Sequence, residues 1–498
     1  MTTTAPRRIG ARELLDLVVD DGTFASWDTP AHTPGADENY RAELAAAAEK
    51  SGADESILSG EGRVGGRRVA LIVSEFRFLA GSIGRAAADR ICAAIERATA
   101  EGLPLLAGPA SGGTRMQEGT PAFVAMIRIT AAIERHRAAG LPYLVYLRHP
   151  TTGGVMASWG SLGHVTVGEP GALLGFLGPR VYEALYGLPF PDGIQSAENL
   201  VRHGLLDAVA EPEQLGALLA RALDLLTPDT PREVTEPETL TLRPEKADPW
   251  ASIERSRDPR RPDVRWLLEY GADDVLPLSG TGQGENDPAI LLALARFGSM
   301  RCVVIGHQRP RPGHWPAMGP GSLREAQRGI ALAEELGLPL VSVIDTAGAD
   351  LSPAAEEGGL AGEIARCLRA LIAVDTPVVS VLLGQGTGGG ALALLPADIT
   401  IAAENAWLSP LPPEGASAIV HRTTERAPEL AAQQRVGVAE LWAAGVVDHL
   451  VDERPDARTE PREFSRRVAA AIQYELHRAA TLGPAERHTR RQARFDAL

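Results

Sequence analysis

The sequence predicts an α/β fold built twice in tandem, two large domains that are each a helix-covered sheet. The first observation is an internal echo at a spacing of about 236 residues: Thr151-Thr152-Gly153-Gly154-Val155-Met156-Ala157 pairs with Thr387-Gly388-Gly389-Gly390-Ala391-Leu392-Ala393. In each case an apolar β-branched run precedes the glycines and an alanine-rich helical stretch follows. The second is that the flanks echo too. Gly102-Leu103-Pro104 matches Gly337-Leu338-Pro339, each followed by an apolar strand and a glycine-bearing turn, Ser111-Gly112-Gly113 or Thr346-Ala347-Gly348. Downstream, Gly204-Leu205-Leu206-Asp207 matches Gly445-Val446-Val447-Asp448, read as a short strand closing each half. The third is a polar segment between about residues 227 and 250 with Pro228, Pro231, Pro237, Pro244 and Pro249, which reads as an inter-domain linker. A period this long marks a duplicated domain rather than a solenoid. The domains are placed at residues 1–240 and 241–498.

Each element follows from its pattern. Residues 11–24 read as a helix and turn, and residues 29–58 as an extended polar arm with a helix. The α/β signal begins at Gly62: Arg68 to Phe78 strand, Asp89 to Ala100 helix, Leu105 to Gly108 strand, Pro121 to Ala139 helix, Leu144 to Leu147 strand. The second half repeats the order with Cys302 to Gly306 strand, Gly321 to Leu336 helix, Leu340 to Ile344 strand, Gly359 to Ala373 helix and Val378 to Leu383 strand. Strands alternating with helices imply helix-covered sheets. The tail from Glu463 to Arg494 reads as an arginine-rich, surface-exposed helical stretch.

Composition excludes several classes of function. With 498 residues, 44% apolar and 23% charged, the chain is ordinary globular protein in which each half can bury its own core. A net charge of -15 argues against sequence-independent nucleic-acid binding, which needs a basic footprint. Lysine occurs only at Lys50 and Lys246, so Schiff-base chemistry and lysine-linked cofactors have almost nowhere to sit. Cys92, Cys302 and Cys367 are widely spaced in apolar contexts and read as buried thiols rather than disulfides or metal ligands. The N-terminus lacks the apolar core of a secretory signal. The apolar stretch Val378 to Leu395 is broken by Ser380, Gln385 and five glycines, so no membrane span is expected and a cytoplasmic location is.

A strand that ends in glycines and enters a helix presents backbone N–H groups with no side chain in front of them. Such a turn stabilises a phosphate or a developing oxyanion. Neither turn carries the lysine of a phosphate-binding loop, and Gly280-Thr281-Gly282-Gln283-Gly284, followed by Glu285 and Asp287, reads as a plain loop. Two such turns suit a reaction in which two carbonyl groups acquire negative charge. No Ser-His-Asp grouping, metal-ligand spacing or nucleophilic cysteine stands out. His307 reads as satisfying a turn, while Asp345 and Glu414 read as exposed capping residues.

Against this background the first half resembles the β subunit, and the second half the α subunit, of bacterial acetyl-CoA carboxylase carboxyltransferase, over roughly residues 60–452. The marks in the first half are Phe76 to Gly84, Ala110 to Gly119, Thr152-Gly153-Gly154-Val155 and Gly175 to Val181. Those in the second are Gly306-His307-Gln308, Asp345 to Ala349, Gly388 to Ala393 and Pro413 to Ser417. The resemblance implies tandem crotonase-like (ClpP/crotonase) domains that move carboxylate from carboxybiotin to acetyl-CoA, giving malonyl-CoA. It implies coenzyme A as part of the substrate, biotin carboxylase and a biotin carboxyl carrier protein as partners, and a homo-oligomer whose active sites are shared between protomers. By position, Gly153 and Gly154 would form the first-domain oxyanion site, on the CoA side. Gly390 with Ala391, beside Gly389, would form the second, on the biotin side. Gly112, Gly113 and Gly178 would shape the CoA side. Arg115 and Arg180 stand as anchors for CoA phosphates or, equally, as structural ion-pair partners.

Three departures qualify what is carried over. The four-cysteine zinc ribbon common at the start of the bacterial β subunit has no counterpart, so no metal is implied. The β-like then α-like order is shared with acyl-CoA carboxylase β chains acting on longer acyl groups. At Ala393 those enzymes tend to carry a polar specificity residue, so alanine resembles the acetyl-CoA type. The alternatives are therefore a propionyl- or longer acyl-CoA carboxyltransferase and a non-catalytic organising subunit. A crotonase-type hydratase would need a positioned carboxylate, for which Glu118 is the candidate.

Overall fold

The computed structural model describes residues 9–33, 35–227, 234–241, 247–309 and 317–496. Pro228, Pro231, Pro244 and Lys246 lie outside them. Two compact units divide the chain: Met1–Asp224 with Gly282–Gly284, and Leu225–Thr281 with Glu285–Leu498. The division falls ahead of the expected 240, because Leu240 already pairs with Val451 in the second unit's sheet.

The first unit opens with α1 (Ala11–Val18), whose Leu14, Leu15 and Val18 recur at helical spacing and are buried, and with a short strand, β1 (Ala25–Ser26). Helix α2 (Glu38–Ser51) is capped by Asp37, whose side chain accepts from the Tyr40 N–H, and is stopped by Gly52 in the left-handed region. Strands β2 (Ile57–Val64) and β3 (Arg67–Ser74) form a hairpin closed by Gly65 and Gly66, whose φ of 57° and 80° suit a tight primed turn. There follow α3 (Arg85–Ala100), β4 (Leu105–Gly108), α4 (Gly119–Ala138), β5 (Tyr143–Leu147), β6 (Thr151–Thr152) and α5 (Gly153–Met156). The unit ends with β7 (Val165–Gly168), β8 (Leu174–Gly175), α6 (Pro179–Tyr186), α7 (Ala197–Arg202), β9 (Ala208–Val209) and α8 (Pro212–Leu226). The sheet runs β1-β2-β3-β4-β5-β7-β9, antiparallel through β3 and parallel beyond it. Strands β4 and β5 are buried at every position, as the inner strands of a parallel sheet covered on both faces must be.

The second unit comprises β10 (Leu240–Thr241), α9 (Pro249–Ser256), α10 (Val264–Gly271), β11 (Asp274–Leu278), β12 (Ile290–Phe297), β13 (Met300–His307), α11 (Pro320–Leu336) and β14 (Leu340–Thr346). It continues through α12 (Pro353–Glu357), α13 (Leu360–Ala373), β15 (Val378–Thr387), α14 (Gly388–Leu392), β16 (Ile399–Ala403) and β17 (Trp407–Ser409). Helices α15 (Pro413–His421), α16 (Ala427–Gln433) and α17 (Val438–Ala443), strand β18 (His449–Val451), and helices α18 (Pro461–Thr481) and α19 (Pro484–Ala493) complete it. Its sheet order is β10-β18-β16-β15-β14-β13-β12-β11, with β17 beside the end of β15. The run β12-β13-β14-β15-β16-β18 repeats β2-β3-β4-β5-β7-β9 strand for strand.

Three expectations need correction. The closing motifs at Gly204 and Gly445 are turns, and the strands begin just after them. Asp207 and Asp448 fasten those turns, their carboxylates accepting from the N–H of Thr166 at 2.9 Å and of Thr400 at 2.7 Å. Strand β3 ends at Ser74 rather than Phe78, because Leu79 and Ala80 turn into left-handed backbone with φ of 43° and 55°. The tail is exposed on one side only. One face of α18 buries Phe464, Val468, Ile472 and Leu476, and in α19 Arg491 has no exposed side-chain surface, both oxygens of Asp398 accepting from it.

Candidate active site

Each site begins where a strand runs out into glycine. After β4, Ser111 donates its N–H to the Pro150 carbonyl at 2.7 Å and accepts at its own carbonyl from the Thr152 N–H at 2.9 Å, so two glycine turns lie side by side. Ser111 Oγ accepts from the Gly113 N–H at 3.0 Å, which bends the first turn and puts Gly113 at φ 109°. A Cβ there would lie 3.6 Å from the Gly154 nitrogen. Gly153, at φ 63°, turns β6 into α5.

The backbone donors sort into two groups. Gly112 gives its N–H to Ala80 at 2.9 Å, and Gly153 gives its own to Phe176 at 3.0 Å. Those residues, with Gly113, shape the turn and have nothing left to donate. The N–H groups of Gly154 and Val155 lie in the first turn of α5, ahead of the position where a helix begins its internal hydrogen bonds.

The second unit repeats this geometry. Thr346 Oγ1 accepts from the Gly348 N–H at 3.1 Å, with Gly348 at φ 128°, and Gly388 at φ 63° starts α14 after its N-cap Thr387. Gly388 therefore corresponds to Gly153, one position earlier than the sequence alignment, which set Gly389 there. The correspondence moves the free donors. Gly389 and Gly390 match Gly154 and Val155, whereas Ala391 is the fourth helical residue, the position at which a helix ordinarily begins its internal hydrogen bonds.

The titratable side chains nearby serve the scaffold. Arg115 is fully buried and paired with buried Glu55, and it donates to Ser82 O at 2.7 Å. Burial works against its charge, but the hydrogen bonds and attraction of Glu55 outweigh it and hold the guanidinium protonated. Of its two expected roles, these surroundings match the ion pair and leave nothing for a CoA phosphate. Arg180 occupies the second position of α6, directly after Pro179, with Gly178 at the N-cap. Glu118 caps α3 through the Arg85 N–H at 2.7 Å and accepts from Tyr40 Oη at 2.6 Å, so it is not a free acid or base.

In the second unit, Asp345 is buried rather than exposed, bound to Arg309 and accepting from the Gln385 N–H at 3.0 Å. Glu414 takes a bidentate contact from Arg257 at 2.5 and 3.0 Å, and that hydrogen bonding holds its carboxyl below the usual range. His307 ends β13 in full burial instead of satisfying a turn. Burial pushes its pKa down to about 4, so the ring is neutral, with Nδ1 accepting from the Asp345 N–H at 3.4 Å and Nε2 beside Met318 Sδ at 3.2 Å. The cysteines are free and buried, and burial raises each thiol, Cys367 to about 12. Among the described residues no group of His, Cys, Asp and Glu is arranged to hold a metal ion, and no helix is long and apolar enough to cross a membrane.

Sequence reasoning missed the side chains that wall the turns. The space a Cβ would take at Gly390 is faced by Met318 Cε at 2.7 Å, at Gly389 by Ile364 Cδ1 at 2.7 Å, and at Gly154 by Thr114 Oγ1 at 3.2 Å. No local pattern marks these residues, since they arrive from other elements. What the arrangement offers chemically is two pairs of backbone donors, each beside a glycine turn and, among the described residues, without a free side-chain base.

Comparison with known proteins places the chain in a family. A chain from Mycobacterium tuberculosis (strain ATCC 25618 / H37Rv), named probable biotin-dependent acyl-coenzyme A carboxylase beta3 subunit, is 58% identical over 489 residues, 98% of each chain. The acetyl-coenzyme A carboxylase carboxyl transferase subunits beta/alpha of Salinispora arenicola (strain CNS-205) are 36% identical over 495 residues, 94% of this chain and 87% of theirs. Among solved structures, transcarboxylase 12S with methylmalonyl-coenzyme A and methylmalonic acid bound superposes with a TM-score of 0.73 at 21% identity, covering 93% of this chain and 90% of that one. At that identity the likeness shows the fold, which is crotonase-like in each half. The carboxyl transferase domain description matches residues 8–490, and the chain belongs to that family.

Proposed function

We propose that the chain is the carboxyltransferase component of a biotin-dependent acyl-CoA carboxylase, moving carboxylate from carboxybiotin on a separate carrier protein to the α-carbon of an acyl-CoA. The observation that carries this reading is the pair of equivalent glycine turns, each opening a helix whose first-turn N–H groups precede its internal hydrogen bonds. Carboxybiotin splits into CO2 and the biotin anion, whose nitrogen takes the α-proton of the thioester. The C–H electron pair becomes the enolate double bond, and the enolate carbon then captures CO2. Negative charge appears on the thioester oxygen and on the ureido oxygen of biotin. Gly154 with Val155 serves the thioester oxygen and Gly389 with Gly390 the ureido oxygen. Preorganised donors aimed at developing charge contribute heavily to catalysis of this kind. Among the described residues no free acid or base stands beside the turns, which fits a reaction in which biotin itself removes the proton.

On substrate, acetyl-CoA was the first expectation, and a propionyl or longer acyl group is now preferred. The relative at 58% identity is named for acyl-coenzyme A, whereas those named for acetyl-coenzyme A stand at 36% and below. Acetyl-CoA remains the second reading, supported by Ala393. Biotin carboxylase, a biotin carboxyl carrier protein and further copies of this chain are the proposed partners. The test is the reverse reaction: decarboxylation of malonyl-CoA and methylmalonyl-CoA by the purified chain, with and without biocytin as acceptor. Biocytin-dependent turnover favouring methylmalonyl-CoA is expected. Preference for malonyl-CoA restores the acetyl reading, biocytin-independent turnover indicates a decarboxylase, and silence with both favours an organising subunit.

A further inference from the structure

The two turns differ in one respect that duplication does not predict. The Cβ position at Gly154 is faced by Thr114 Oγ1 at 3.2 Å, then by Met126 Cγ at 3.6 Å and Sδ at 3.8 Å. At Gly389, its counterpart, the three nearest atoms are all carbons of Ile364, the closest at 2.7 Å. The counterpart of Thr114 is Ala349, since the isolated bridges Ile83 to Thr114 and Met318 to Ala349 occupy the same place in the two units. The Cβ position of Gly154 therefore faces a hydroxyl, and that of Gly389 faces only carbon.

Thr114 is held firmly. Its neighbour Arg115 is locked onto Glu55 and donates its N–H to the Ile83 carbonyl at 3.0 Å, and Ile83 in turn donates to Gly113 at 2.9 Å. The hydroxyl itself has no hydrogen-bond partner among the described residues, in a half-buried position beside Gly154. A threonine hydroxyl carries one rotatable donor and can turn it toward whatever charge arrives.

We propose that Thr114 is a further catalytic residue of the first unit, its hydroxyl supplying a third hydrogen-bond donor, beside the Gly154 and Val155 N–H groups, to the thioester oxygen as it becomes an enolate. This rests on the carboxyltransferase reading above. When the α-proton passes to the biotin nitrogen, the carbonyl pair moves onto oxygen, and it returns when the enolate carbon bonds to CO2. A donor that strengthens as the charge grows lowers the barrier without tightening substrate binding. The second unit, with alanine in the corresponding place, uses backbone donors alone.

The test uses the purified full chain, biocytin, and whichever of malonyl-CoA and methylmalonyl-CoA the unmodified protein decarboxylates. Thr114→Val keeps the shape and removes the donor, so kcat is expected to fall roughly 10- to 100-fold with KM within about twofold. Thr114→Ser restores the donor and keeps kcat within about threefold of the unmodified protein. Thr114→Ala carries the same test if the valine variant misfolds, with the melting temperature read for each. The proposal is overturned if the valine and alanine variants keep full kcat, if serine falls as far as valine, or if KM moves instead of kcat. In those cases unmodified turnover still stands and the carboxyltransferase reading survives. Absence of biocytin-dependent turnover in the unmodified protein overturns both.

Discussion

Arg115 shows how one residue can be conspicuous in a sequence and still have its role decided by packing. It stands next to a glycine turn in a recognisable motif, which suggested a phosphate anchor. Glu55, sixty positions away, reaches it only in the folded chain. Removing one partner of a buried pair leaves the other charge uncompensated, so Glu55→Gln or Arg115→Met should cost about 3–5 kcal/mol. Urea unfolding followed in the first unit measures that loss, and a change below about 1 kcal/mol would mean the pair is solvated. His307 supports a pH prediction. Its folded pKa is about 4, below the ordinary 6.5, so between those values the unfolded chain binds the extra proton and stability falls as pH drops. Its contribution is full above about 6.5 and approaches a loss on the order of 3 kcal/mol near pH 4. In His307→Gln the slope of stability between pH 6.5 and 4 should be shallower. An unchanged slope would show that the ring is not the titrating group.

At the scale of elements, what was legible was whatever the backbone itself dictates. Gly153 and Gly388 each sit at φ 63°, where side chains are strained, so glycine had to appear there and the turns announced themselves. The alignment was nonetheless off by one, because three consecutive glycines at 388–390 allow two registers and only the helix start selects between them. Strands β2, β11 and β12 were missed for a related reason. Gly60 and Gly62 interrupt the β2 pattern, and the glycine-bearing loop after β11 hides a hairpin whose register only pairing reveals. Gly153→Ala and Gly388→Ala, forced into left-handed backbone, should each lose about 1–2 kcal/mol and at least tenfold in turnover, because the donors that follow are re-aimed. Gly154→Ala is the informative contrast. Its Cβ would come within a tight 3.2 Å of Thr114 Oγ1, which a small rotation of that hydroxyl relieves, so stability should fall by less than in the other two while substrate access narrows and turnover falls. Melting temperatures and kcat for the three variants separate strain from obstruction.

At the scale of the whole molecule, duplication explains why a sequence with no catalytic grouping still disclosed an architecture. Each half repeats a hairpin, three parallel strands with glycine turns, and an aspartate latch, and those repeats outlived the side chains around them. The tail is what duplication could not foretell. Its last helix, α19, lies past the repeat, which closes with α18 after β18 as with α8 after β9, and the arginines of α18 and α19 disguised both as a solvated surface. Arg491 in fact donates to the carbonyls of Leu371, Val374 and Thr376 as well as to both oxygens of Asp398, tying the end of α13 to the start of β15 and of β16. Strand β15 carries the second glycine turn at its far end. Arg491→Met should therefore cost about 3–5 kcal/mol by stranding the buried carboxylate of Asp398. The loss belongs to the second unit, so calorimetry should show its transition moving down while signals from the first unit, such as Trp159 in its core, keep their midpoint. Arg491→Met with Asp398→Leu, which removes both charges and fills the space, should recover most of the loss. If the double variant is no better than the single one, the carbonyl contacts rather than the ion pair fasten the tail.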